Sequence, residues 1–133
     1  MTKRLLALLA LAAPQVAMAA DTLDDALAAP GSAERGRSVF LAREGGHCVI
    51  CHATKGMVPA GNVGPALDGI GRRLTSGQIR LRIVDITRVN PDAAMPAFFR
   101  SEAMTRVAAP YAGKPLLDPQ QVEDLVAFLG TLR

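Results

Sequence analysis

Cys48-Val49-Ile50-Cys51-His52 holds both cysteines of this 133-residue chain and one of its two histidines. Two thiols three residues apart, with an imidazole directly after them, suit one chemistry above others. Each thiol can add across a haem vinyl group as a thioether while the imidazole ligates the iron from one side. A dithiol redox pair is the rival, but it calls for a strand-to-helix context, and Gly45-Gly46-His47 precedes the motif. A structural zinc site needs four ligands, and Cys48, Cys51, His47 and His52 cannot close a tetrahedron from so short a segment. The stretch therefore reads as a haem c attachment site, with Cys48 and Cys51 as covalent anchors and His52 as an axial ligand.

The second axial position has few candidates. His47 lies on the same short segment as His52 and cannot reach the opposite haem face, and Met57 is only five residues past His52. Met1 and Met18 fall in an N-terminal leader, which leaves Met95 and Met104. Met95 is followed by Pro96, which removes an amide donor and restricts the methionine to extended backbone. A thioether fixed in that way can be aimed at the iron, so Met95 is the expected ligand and Met104 the expected packing residue.

The leader supports this chemistry. Met1-Thr2-Lys3-Arg4 is a positive start, Leu5 to Ala13 is apolar, and Ala17-Met18-Ala19 is a small-x-small cleavage signal, so residues 1–19 read as a secretory signal peptide. The apolar run stops at Pro14-Gln15, short of the roughly 20 residues a membrane span needs. Export to the periplasm with no membrane anchor after cleavage is the expectation. Without Lys3 and Arg4, the 15 basic residues become 13 against 12 acidic ones, so the basic pI is no sign of nucleic-acid binding. Charge is unevenly placed all the same: Arg72, Arg73, Arg80, Arg82, Arg88, Arg100 and Arg106 crowd the middle. They read either as a solvated face with partners for haem propionates or as a docking surface for an acidic protein.

What remains after the leader is one domain with few aromatic residues, Phe40, Phe98, Phe99, Tyr111 and Phe128, and no Trp. A buried macrocycle would supply apolar surface that these side chains lack, so folding should depend on it. The elements that must position the site are helices with long loops between them. Ser32 can cap a helix running to about Ala42, in which Gly36 permits close approach of another backbone one turn before Phe40. Thr75 and Gln78 form a capping box opening a helix from Ser76 to about Val89, although Gln78 to Ile83 also alternates like a strand. Asp118, Pro119 and Gln121 open a closing helix with Val122, Leu125, Val126, Leu129 and Leu132 on one face. Phe40 and Phe128 are the expected contact where the first and last helices cross. Residues 53–71, with five glycines and two prolines, should form an extended loop, and Asn90-Pro91 starts a second one.

Taken together, Cys48-Val49-Ile50-Cys51-His52, Gly64-Pro65-Ala66-Leu67, Met95-Pro96 and the closing amphipathic helix resemble the class I cytochrome c family from about Ala33 to Leu132. The resemblance implies an all-α fold around one covalently attached haem, in a domain spanning 33–133 behind a leader (1–19) and an N-terminal extension (20–32). It implies that the Pro65 carbonyl accepts a hydrogen bond from the His52 imidazole and that Pro65 and Leu67 line the haem pocket.

More narrowly, the runs Gly61 to Leu67 and Gln78 to Asp85, then Asn90-Pro91, Met95-Pro96, Phe98-Phe99, and Thr105-Arg106-Val107 before Tyr111, are similar to the SoxX family of sulfur-oxidising systems. Phe98-Phe99 stands where tyrosines are expected. That likeness implies a periplasmic heterodimer with SoxA, a second c-type cytochrome. The complex acts as an L-cysteine S-thiosulfotransferase, joining thiosulfate to a cysteine of the SoxYZ carrier and passing electrons to a soluble cytochrome c acceptor. Both thiols of this chain are used by the haem, so its expected part is electron relay and not sulfur chemistry. Arg72, Arg73, Arg80 and Arg82 are expected to favour reduced iron through their charge. A free soluble electron-carrier cytochrome c is the alternative, which predicts a monomer without an exposed apolar patch. A ligand sensor or peroxidatic haem protein would need an open iron position.

Overall fold

The computed structural model describes residues 22–58, 61–100, 108–109 and 112–133. The leader 1–19, Met104, Thr105-Arg106-Val107 and Tyr111 lie outside them. Among the described residues there are four α-helices and no strand: α1 (Ala33–Leu41), α2 (Ile70–Arg73), α3 (Ser76–Asp85) and α4 (Pro119–Thr131). Short 3-10 turns at Cys48–Ile50 and Ile86–Arg88 complete the regular structure.

Each longer helix begins where a side chain can satisfy its unpaired first-turn amides. The Ser32 hydroxyl accepts from the Arg35 amide, and Thr75 with Gln78 and Asp118 with Gln121 form reciprocal capping boxes. Pro119 sits at the first turn of α4, where its missing N–H has no partner to lose.

Helices α1 and α4 cross in close contact. The Phe40 and Phe128 rings lie 5.5 Å apart at 58°, a tilted aromatic arrangement. Gly36 lets the backbones touch: a Cβ there would meet the Asp124 carbonyl oxygen and sit 2.7 Å from Phe128 Cβ. The core built on this crossing includes Val49, Ile79, Ile83, Leu117, Val122 and Leu125, all buried. Helix α2, whose first two residues fall at the end of what the sequence suggests is loop, is a single turn whose Gly71 amide donates to the Leu132 carbonyl at 3.0 Å.

Residues 22–32 form a strap across α3 and α4. The Leu23 amide donates to the Gly77 carbonyl (3.0 Å), the Leu27 amide to Glu123 Oε1 (3.0 Å) and the Ser32 amide to Asp124 Oδ1 (2.7 Å). Under the strap, Arg80 forms a two-pronged pair with Glu123 (2.7 and 2.8 Å), and its Nη1 donates to the Leu23 carbonyl at 2.7 Å. These two side chains are only 7% and 5% exposed. Arg35 makes a second two-pronged pair with the buried Asp124 (2.7 and 2.8 Å).

The arginine reading needs correction at Arg80, which is buried against Glu123, belongs to no solvated or docking face and has its charge compensated there. Arg100 is paired with Asp85 at 2.7 Å and stays partly exposed. Arg72, Arg73 and Arg88 are exposed. The third helix also stops earlier than its capping box and apolar spacing suggest. Asp85 takes extended backbone (φ −159°, ψ 93°), and its carboxylate caps the Thr87 amide at 3.1 Å. The Ile83 and Val84 carbonyls turn instead to the amides of Phe98 (3.1 Å) and Phe99 (3.2 Å).

Candidate functional site

The attachment motif follows α1 through a tight reversal. The His47 amide donates to the Ala42 carbonyl at 2.9 Å, and His47 itself is left-handed at φ 40°, a conformation histidine tolerates better than most side chains. Gly46 admits the first thiol: a Cβ there would sit 2.9 Å from Cys48 Sγ. The turn Cys48–Ile50 then buries Val49 and leaves Cys48 and Cys51 half-buried, with free thiols not joined to one another. Burial pushes the Cys48 thiol up to about 11.

The loop after His52 runs back along the motif. Amides of Gly61, Gly64 and Leu67 donate to the carbonyls of Val49 (3.0 Å), Cys51 (2.9 Å) and Ala53 (2.9 Å). This register brings the Pro65 carbonyl 2.8 Å from His52 Nδ1. A carbonyl oxygen only accepts, so Nδ1 carries the proton and Nε2 keeps its lone pair for a metal. Gly64 lies against the ring, where a Cβ would sit 2.7 Å from Nδ1 and 2.9 Å from Nε2. The ring is thus held in one orientation and one tautomer by backbone alone. Leu67 is buried in the core and Pro65 is exposed.

Met95 is half-buried and packed against the core. Pro96 follows it, and the chain is fixed three residues on, where Phe98 bonds to Ile83 through its amide and accepts from the Leu117 amide at 3.0 Å. Met57, set aside as a ligand because of its closeness to His52, is buried in the core as well. The Thr54 hydroxyl is buried without a partner among the described residues; nothing in the sequence marks it. The donor set at this locus, two free thiols beside an imidazole presenting Nε2, fits a haem c.

With that geometry in place, comparison defines the class. The cytochrome c family model matches residues 33–133, and the chain belongs to the cytochrome c family, whose members carry covalently bound haem c. A cytochrome c-553-like protein from Synechocystis sp. is 30% identical over 106 residues, 80% of this chain and 74% of that protein. The particular likeness is narrower. A chain in the crystal structure of SoxXA from P. pantotrophus superposes with a TM-score of 0.77 at 32% identity, covering 84% of this chain and 90% of that one. The c-type cytochrome SorU from Sinorhizobium meliloti shares the fold, with a TM-score of 0.50 at 21% identity over 75% of this chain and 88% of that one. The protein is a SoxX-like class I cytochrome c with an all-α fold and an electron-transfer function. No described helix is long and apolar enough to cross a membrane.

Proposed function

We propose that this chain is the electron-relay subunit of a periplasmic SoxAX complex that conjugates thiosulfate to the SoxYZ carrier cysteine. In this reading the leader 1–19 is removed on export and one haem c is bound. Cys48 and Cys51 would hold it through thioethers, and His52 Nε2 and the Met95 sulfur would ligate its iron. The observation that carries the proposal is the likeness to the SoxXA chain over nine-tenths of that chain's length.

When bound, the haem supplies a one-electron iron couple. This chain's residues supply the rest. Pro65 holds the Nδ1 proton of His52 and so keeps the ring a neutral, strong donor. A neutral thioether from Met95 would favour the reduced state, which suits a subunit that drains electrons from a lower-potential partner. No thiol is left over for sulfur transfer, since the chain has two cysteines and both lie in the motif.

Co-expression in a periplasm with a tag on this chain tests the proposal. Co-purification of a second cytochrome is the expected result, and a single-haem monomer recovered alone favours the carrier.

A further inference from the structure

The loop that carries Met95 is fastened at both ends to the broken end of α3, and a single buried carboxylate sits at that junction. Helix α3 leaves helical geometry at Asp85. Were it to continue, the Ile83 and Val84 carbonyls would accept from amides four residues ahead. They accept from Phe98 and Phe99 instead, which closes the chain between Ile86 and Ala97 into a loop. The near end is folded by the turn Ile86–Arg88, with the Asn90 amide on the Ile86 carbonyl at 2.9 Å. Asn90 then makes a turn of its own, its side chain accepting from the Asp92 amide at 3.1 Å.

Asp85 spans both ends. Its Oδ1 accepts from the amide and hydroxyl of Thr87 on the near side, and its Oδ2 accepts from Arg100 Nη1 at 2.7 Å on the far side. The Asp85 side chain is only 8% exposed. Arg100 Nη1 also reaches Thr87 Oγ1 at 3.4 Å, and Arg100 Nε is buried without a partner among the described residues. The guanidinium therefore depends on this carboxylate. The histidine side of the site has no such dependence, because backbone bonds hold it.

We infer that Asp85 is a positioning residue for Met95: by stopping α3 and joining Thr87 to Arg100, it closes the loop that presents the thioether. The inference rests on the reading of Met95 as axial ligand. An ordinary structural ion pair would contribute stability without influencing which group occupies the iron's second axial position. A positioning pair would make the thioether easier to displace once it is broken.

Titration of the ferric holoprotein with imidazole, an external nitrogen ligand, separates these cases. The readout is the weak far-red charge-transfer band of thioether-ligated ferric haem. In Asp85→Asn, imidazole should abolish the band at about tenfold lower concentration than in the parent, since part of the cost of breaking a half-buried pair passes to the loop. Arg100→Met should shift in the same direction and serves where Asp85→Asn yields no holoprotein. Glu123→Gln breaks the buried pair with Arg80, away from the loop, and should leave the imidazole midpoint in place while lowering stability. Midpoints within about twofold of the parent in both loop variants overturn the inference, taking twofold as the smallest difference that a shift of a few tenths of a kcal/mol would give. A band that persists in Met95→Ala overturns the ligand reading beneath it.

Discussion

The two sides of the candidate haem site are built from different interactions. Around His52, backbone amides of Gly61, Gly64 and Leu67 and the carbonyl of Pro65 do the holding, and glycines let the strands of chain lie close. Around Met95, the loop hangs from an interrupted helix whose end is closed by Asp85, Thr87 and Arg100. A ligand fixed by backbone register moves only if the loop unfolds. A ligand fixed through a charged side chain can be loosened by one neutral substitution. The same contrast recurs farther off, where the strap and α4 are joined through the carboxylates of Glu123 and Asp124.

The largest expected effect comes from attacking the backbone side. Gly64→Val places branched carbon against the His52 ring, and overpacking there should lower the yield of haem-loaded protein by about tenfold or more. Absorbance per unit of polypeptide mass measures it; near-parental loading would break the contrast. Second is Glu123→Gln, which leaves buried Arg80 incompletely paired. It should cost about 3 kcal/mol or more in denaturant unfolding while the far-red band persists at moderate temperature.

The same carboxylates predict an acid response. Arg80 holds Glu123 below its ordinary value of 4.5, and Arg35 holds Asp124 below 3.8. A group whose folded value is depressed stabilises the fold fully above its unfolded value and loses that contribution as pH falls toward the folded one. Stability should therefore be flat above about pH 5 from these groups and decline below it. Melting temperatures across pH 3 to 6 check this, and Glu123→Gln should flatten the decline. Gly36→Ala should cost about 1–3 kcal/mol by forcing α1 off α4, and Asp118→Ala about 1 kcal/mol through the lost cap, both read from urea unfolding.

The sequence made local features legible. Capping residues at Ser32, Thr75, Gln78, Asp118 and Gln121 act within one turn of themselves, so they mark helix starts without knowledge of the fold. Gly36 and the Phe40–Phe128 contact could be anticipated because amphipathic spacing says which face must be covered. The motif at Cys48 to His52, with Gly64-Pro65-Ala66-Leu67, Met95-Pro96 and the closing helix, carried the family. Distant pairings were hidden. Arg80 meets Glu123 43 residues away, and nothing in a run of arginines tells which will find a buried carboxylate. The end of α3 was hidden for the same reason: its carbonyls are claimed by Phe98 and Phe99 from a later loop. The Thr54 hydroxyl carries no signal at all, since threonine beside a motif is ordinary.

The strap has a practical consequence for anyone trimming the gene. The cytochrome c family model begins at residue 33, yet Glu123 and Arg80 find hydrogen-bond partners at Leu27 and Leu23. A recombinant version started at the family boundary would strand two ionised groups beneath a missing lid of chain. The unit that folds is longer at its beginning than the stretch the family model matches.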